Sequence, residues 1–91
     1  MPFQAEDWVL VGNTDLPYTK EQIEACKSLD LNIKGAILCN DPAKADSDAC
    51  KMIPQFPAFC NTKTQICVSG LRDDTKLFDE LQEYSDNKNK S

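Results

Sequence analysis

At 91 residues the chain is too short for a pair of ordinary domains, so one domain is expected. Its 41% hydrophobic and 27% charged residues are a globular composition with a modest core. A net charge of −5 and the absence of histidine leave no basic stripe to track phosphates and no imidazole for catalysis or metal ligation, which argues against nucleic acid as a partner.

Trp8-Val9-Leu10-Val11 is a continuous apolar run of strand length, suited to a strand buried on both faces. Gly12 to Tyr18 reads as a loop, since Gly-Asn-Thr-Asp are turn formers and Pro17 argues against a helix beginning before it. Thr19 and Gln22 have the spacing of a capping box, so the first helix is expected to start there. Its inner face would carry Ile23, Cys26 and Leu29, and its outer face Lys20, Glu24 and Lys27.

The segment Ile33 to Cys39 is a second strand candidate, stopped by Asn40-Asp41-Pro42. Ala45, Ala49 and Ile53 mark one face of a short second helix that Pro54 ends. Pro57 to Cys60 and Gln65 to Val68 form a hairpin around Asn61-Thr62-Lys63-Thr64. Behind Asp73 and Asp74, the stripe Leu77, Phe78, Leu81 and Tyr84 predicts a last amphipathic helix, and Ser85 to Ser91 reads as a frayed polar tail. The order is βαβαββα, an α/β domain over residues 1–84 with a tail over 85–91.

No apolar run reaches the roughly 20 residues of a membrane-spanning helix, and Met1 to Asp7 lacks the regions of a signal peptide. The expectation is a soluble chain of the cytoplasm or another intracellular compartment, with reduced thiols as the default. Five cysteines are an odd set without zinc-site spacing, so at least one stays free or pairs between molecules. No cofactor or metal is implied.

The order of elements, the Pro17-Tyr18 interior of the loop and the segment Ile53-Pro54-Gln55-Phe56-Pro57-Ala58-Phe59 together resemble the minimal thioredoxin fold. The pattern is nearest to the thioredoxin-like domains associated with vitamin K epoxide reductase homologues. Those domains often carry a cysteine at the end of the second strand and another on the next helix, positions matched by Cys39 and Cys50. The resemblance covers roughly residues 8 to 84. It implies a mixed four-stranded sheet flanked by helices and a cis-proline at Pro57 facing the loop. Where the family places Cys-x-x-Cys, this chain has Leu16-Pro17-Tyr18-Thr19, and Leu10 falls near the place of the acid that catalytic thioredoxins bury on the first strand.

Thiol–disulfide exchange requires a thiolate, which Leu16 cannot supply, and the Thr19 hydroxyl has no histidine to activate it. The resemblance therefore implies a redox-inactive protein-binding or assembly module rather than an enzyme. Its former active-site face would present Leu16, Pro17, Tyr18, Thr19, Phe56 and Pro57 to an extended peptide of a protein partner. The alternative is an atypical thiol-disulfide oxidoreductase or redox sensor using Cys39/Cys50 or Cys60/Cys67. The first pair is close enough for a bridge if strand end and helix approach, and a four-residue loop would set the second pair opposite each other. The plainer reading of Cys39 and Cys50 is a structural bridge or reduced thiols, of Cys60 and Cys67 two packed thiols, and of Cys26 a small buried thiol. Glutathione binding ranks last. Glu6, Asp7, Asp15, Asp73 and Asp74 bias partner choice toward basic surfaces or serve solubility alone.

Overall fold

The computed structural model describes residues 3–31, 33 and 35–90, the side chains of 89 and 90 excepted. After a 3-10 turn at Ala5–Asp7 come β1 (Trp8–Gly12), α1 (Pro17–Ser28), β2 (Gly35–Leu38), α2 (Asp48–Met52), β3 (Ala58–Asn61), β4 (Cys67–Ser69) and α3 (Thr75–Lys90). The strands form one mixed sheet in the order β2-β1-β3-β4. β1 runs parallel to β2 and antiparallel to β3, and β3 antiparallel to β4. The protein is thus α/β, with three helices on a four-stranded mixed sheet. Lys34, inside the expected second strand, and Ser91, the end of the expected tail, lie outside the described residues.

β1 is buried on both faces because successive side chains point to opposite sides of a central strand. Trp8 and Leu10 join Phe59, Phe78 and Leu81 in the larger core, against which Ile23, Cys26 and Leu29 of the α1 side pack. Val11 joins Ile53 and Ala58 in the smaller core on the α2 side, with Ile37, Phe56 and three of the cysteines around it. Phe59 and Phe78 meet edge to face at 5.3 Å between ring centroids, and Phe3 lies 5.0 Å from Phe78.

Several local expectations are corrected. α1 begins at Pro17 and not at Thr19, because proline is already fixed in helical φ and its missing N–H costs nothing in a first turn. The capping box does not form, since Thr19 and Gln22 are wholly buried and bonded elsewhere. At the other end Asp30 takes φ +54°, and Leu31 N–H bonds to Cys26 O, so this helix closes in a left-handed cap without glycine.

α2 spans only Asp48–Met52 and leaves out Ala45 and Ile53. The Asp41 carbonyl accepts from Lys44 N and Ala45 N while its carboxylate accepts from Ala43 N, so residues 41–45 are held as turns. The hairpin is shifted by one residue. Asn61 belongs to β3 and its N–H reaches Ile66 O, leaving Thr62 to Gln65 as the four-residue connection, with Gln65 at φ +61°.

In α3 the buried positions are Phe78, Leu81, Gln82 and Ser85, while Tyr84 is exposed. The helix runs on to Lys90, so the segment read as a frayed tail begins instead with a buried residue. Two polar side chains complete this inner face because each has a partner. Gln82 Oε1 accepts from the Trp8 indole N–H at 2.9 Å and from Gln4 N at 3.0 Å, and the Ser85 and Thr64 hydroxyls lie 2.8 Å apart. Among the described residues no helix is long and apolar enough to cross a membrane.

Candidate binding face and the two disulfides

The loop after β1 is built at the C-terminal ends of the two parallel strands. Asn13 O accepts from Leu16 N, and the Asn13 carboxamide oxygen accepts from Asp15 N. Thr14 and Asn40 exchange two hydrogen bonds across the strand ends, Thr14 N to Asn40 Oδ1 at 3.1 Å and Asn40 Nδ2 to Thr14 Oγ1 at 2.7 Å. Thr19 points inward, where its hydroxyl accepts from Asn13 N at 3.1 Å. It packs so closely on Gly12 that a Cβ at residue 12 would stand 2.6 Å from Thr19 Cγ2. Glycine at that position is a matter of space.

Leu16, 39% exposed, and Tyr18, 61% exposed, face outward, as does Pro17 in the first turn of α1. The Phe56-Pro57 peptide bond is cis, with Pro57 wholly buried and Phe56 half-buried. Tyr18, Gln55, Phe56, Pro57, Gly70 and Leu71 line a shallow groove of about 240 Å³. Of the six residues singled out from the sequence, the structure therefore brings Tyr18, Phe56 and Pro57 together. Leu16 and Pro17 stand in the adjoining loop and first turn, and Thr19 is turned into the protein.

The far wall of the groove rests on a residue that sequence reading assigned to a cap. Gln22, wholly buried, donates through Nε2 to Arg72 O at 2.6 Å and accepts at Oε1 from Arg72 N, which ties α1 to the segment following Gly70. Gly70 N in turn donates to Pro57 O at 2.8 Å. Burial lowers the Arg72 pKa, against the opposing pull of Glu80. No periodicity of apolar residues could have found Gln22, since its partner lies fifty positions away.

Leu10 is buried in the larger core. Two of the acids noted in the sequence have local work. Asp74 Oδ1 accepts from Lys76 N at the start of α3, and Asp7 lies 3.6 Å from Lys63. Among the described residues no group of three or more His, Cys, Asp or Glu side chains is placed to hold a metal ion.

Cys39 is bonded to Cys50 and Cys60 to Cys67, with Cα separations of 5.7 and 4.0 Å. Cys60 and Cys67 are direct cross-strand neighbours of β3 and β4. They fall between the hydrogen-bonded pairs, where opposing side chains approach most closely. Cys67 is exposed and Cys60 half-buried, as are Cys39 and Cys50.

Cys26 is free. It lines an apolar cavity of about 330 Å³ with Leu10, Ile23, Leu31, Ile33 and Ala36. Burial raises its thiol pKa, and the hydrogen bond from the Gln22 amide only partly offsets this. The unfolded chain therefore ionises this thiol first, above the ordinary thiol pKa of about 8.5, while the folded chain keeps its proton. Stability should be unaffected below that pH and fall as pH rises toward the folded value. Urea unfolding at pH 7 and pH 9.5 should show this loss, and Cys26→Ser should remove it.

No family model, curated protein or solved structure matches this chain.

Proposed function

We propose that the chain is a thioredoxin-like domain without a dithiol site that serves as a protein-binding or assembly module through the face around Tyr18 and Pro57. The observation that carries this reading is the groove itself. A cis-proline shares a groove with a helix start that bears an exposed tyrosine, and where the resemblance would place two sulfurs stand an exposed leucine, Leu16, and a buried threonine, Thr19. The sheet order β2-β1-β3-β4, with β3 antiparallel to its neighbours, supports the thioredoxin-like assignment. In such domains an extended peptide adds its backbone beside the cis-proline, and neighbouring pockets read its side chains.

Tyr18 is the exposed aromatic of the face, and aromatic anchors dominate most interfaces. Tyr18→Ala should reduce retention of a captured partner by about tenfold or more. The fold should change by under about 0.5 kcal/mol, as for an exposed residue. Quantitative affinity capture with parent and variant side by side, with chemical denaturation as the folding control, checks this. Equal retention by both proteins would remove the reading.

A second reading, an atypical thiol-disulfide oxidoreductase or redox sensor, is favoured by the two bonded cysteine pairs. Disulfide reductase turnover that disappears in Cys39→Ser or Cys60→Ser would replace the first reading with this one.

A further inference from the structure

Ser47 precedes α2 as its N-cap, yet its side chain makes no capping hydrogen bond. Its hydroxyl lies 3.1 Å from Cys50 Sγ, to which it donates. A serine in this position ordinarily accepts from the backbone, and here it is turned onto sulfur instead. A disulfide sulfur is a weak acceptor and a thiolate a strong one, so this donor gains most when the bond to Cys39 breaks. The Lys44 carbonyl oxygen lies 3.5 Å from the same sulfur, where it is placed to accept a thiol proton. Cys39 has no such neighbours among the hydrogen bonds of the described residues other than its backbone bond to Gly12 O.

The bridge also sits at an open end of the sheet. Cys39 directly follows β2, whose last residue Leu38 pairs with Gly12, and Asn40 is bonded to Thr14 of the loop after β1. The flanking residues 40–46 are exposed.

We infer that the Cys39–Cys50 bridge is a directional site of thiol–disulfide exchange, attacked at Cys39 by a low-molecular-weight thiol, with Cys50 as the leaving sulfur and Ser47 as its hydrogen-bond donor. The attacking thiolate forms a new S–S bond to Cys39 Sγ as the bond to Cys50 breaks, and the electron pair departs on Cys50 Sγ. Ser47 keeps its proton and stabilises the developing charge. The Cys50 thiolate then takes a proton from water, and the resulting S–H donates a hydrogen bond to the Lys44 carbonyl oxygen. A second thiol attacks the mixed disulfide at the sulfur of the first, which leaves Cys39 as a thiol after proton uptake. Overall two small thiols are oxidised to their disulfide and the bridge is reduced by two electrons. Asp41, Asp46 and Asp48 outnumber Lys44 in the intervening segment, so a neutral thiol reacts faster there than one that carries carboxylates. This inference is independent of whether the face around Tyr18 binds a partner.

The test treats the whole oxidised chain briefly with 2-mercaptoethanol, quenches in acid and maps the adducts by mass spectrometry after alkylation. The expected mixed disulfide is on Cys39, with Cys50 alkylated. Ser47→Ala should slow opening of this bridge about three- to tenfold, the effect of one hydrogen bond of ordinary strength to a sulfur only partly charged in the transition state, and erase the bias. Ser47→Thr should restore both. The Cys60–Cys67 bridge in the same sample is the internal control. An adduct on Cys50, an even split in the parent, or a Ser47→Ala bridge that opens at the parental rate relative to the control overturns the inference. If Ser47→Ala accelerates both bridges together through unfolding, the parent and Ser47→Thr decide: a shared Cys39 bias upholds the inference and its loss in Ser47→Thr overturns it.

Discussion

Phe78→Ala is expected to cost about 3–5 kcal/mol of folding free energy, the usual range for deleting a fully buried aromatic ring. Phe78 has no solvent exposure and touches the Phe59 ring from the helix side and the Phe3 ring from the chain start. Its loss leaves a void where the sheet, α3 and the N-terminal segment meet, and a four-stranded sheet this small has little means to collapse into it. Since a 91-residue domain is stable by roughly 5–14 kcal/mol, the loss removes a third or more of it over most of that range and brings a parent at the lower end to its folding threshold. Urea titration followed by Trp8 fluorescence measures the change. A cost under about 1 kcal/mol would show that α3 is not anchored through this ring.

Gln22→Leu is the second large effect, expected at about 2–4 kcal/mol. The substitution puts an apolar side chain of similar size in a fully buried position but strands both the N–H and the C=O of Arg72, each of which costs about 1–3 kcal/mol when left unpaired. The consequence reaches the groove, because the segment that Gln22 holds includes Gly70 and Leu71 of its wall. Amide hydrogen exchange should accelerate at Gly70 to Arg72 well before the sheet amides respond. Protection at those residues equal to the parent's would place the restraint elsewhere.

These two residues also mark where sequence reading succeeds and stops. Phe78 was legible because it repeats with Leu81 at helical spacing, and the strands around Trp8 and Phe59 were legible as short apolar runs. Gln22 and Gln82 were not, although each is wholly or nearly buried. Periodicity registers apolar side chains, whereas an amide becomes an interior residue only through a partner, here Arg72 and Trp8, brought close by the fold. The clue available beforehand was geometric. Gln82 and Ser85 stand four and seven positions after Phe78, whereas the apolar stripe counted from Leu77 took Tyr84 as its seventh step.

The cysteines divide in the same way. Whether Cys60 faces Cys67 depended on the hairpin register, and Asn61 decided it by extending β3, its carboxamide oxygen accepting from Lys63 N and Thr64 N to hold the turn. The groove residues were legible as a set only through the resemblance. Their disposition was not, since Thr19 reads as a surface cap until Gly12 is seen to leave room for its methyl group.

That interlock limits what residue 19 can become. Placing cysteines at 16 and 19 by engineering would take away the hydroxyl that receives the Asn13 amide and offer a larger, weakly accepting sulfur in a space fitted to threonine. Two substitutions alone would therefore not make a working dithiol site at this helix start, because Gly12 and the Asn13 amide are fitted to the threonine side chain.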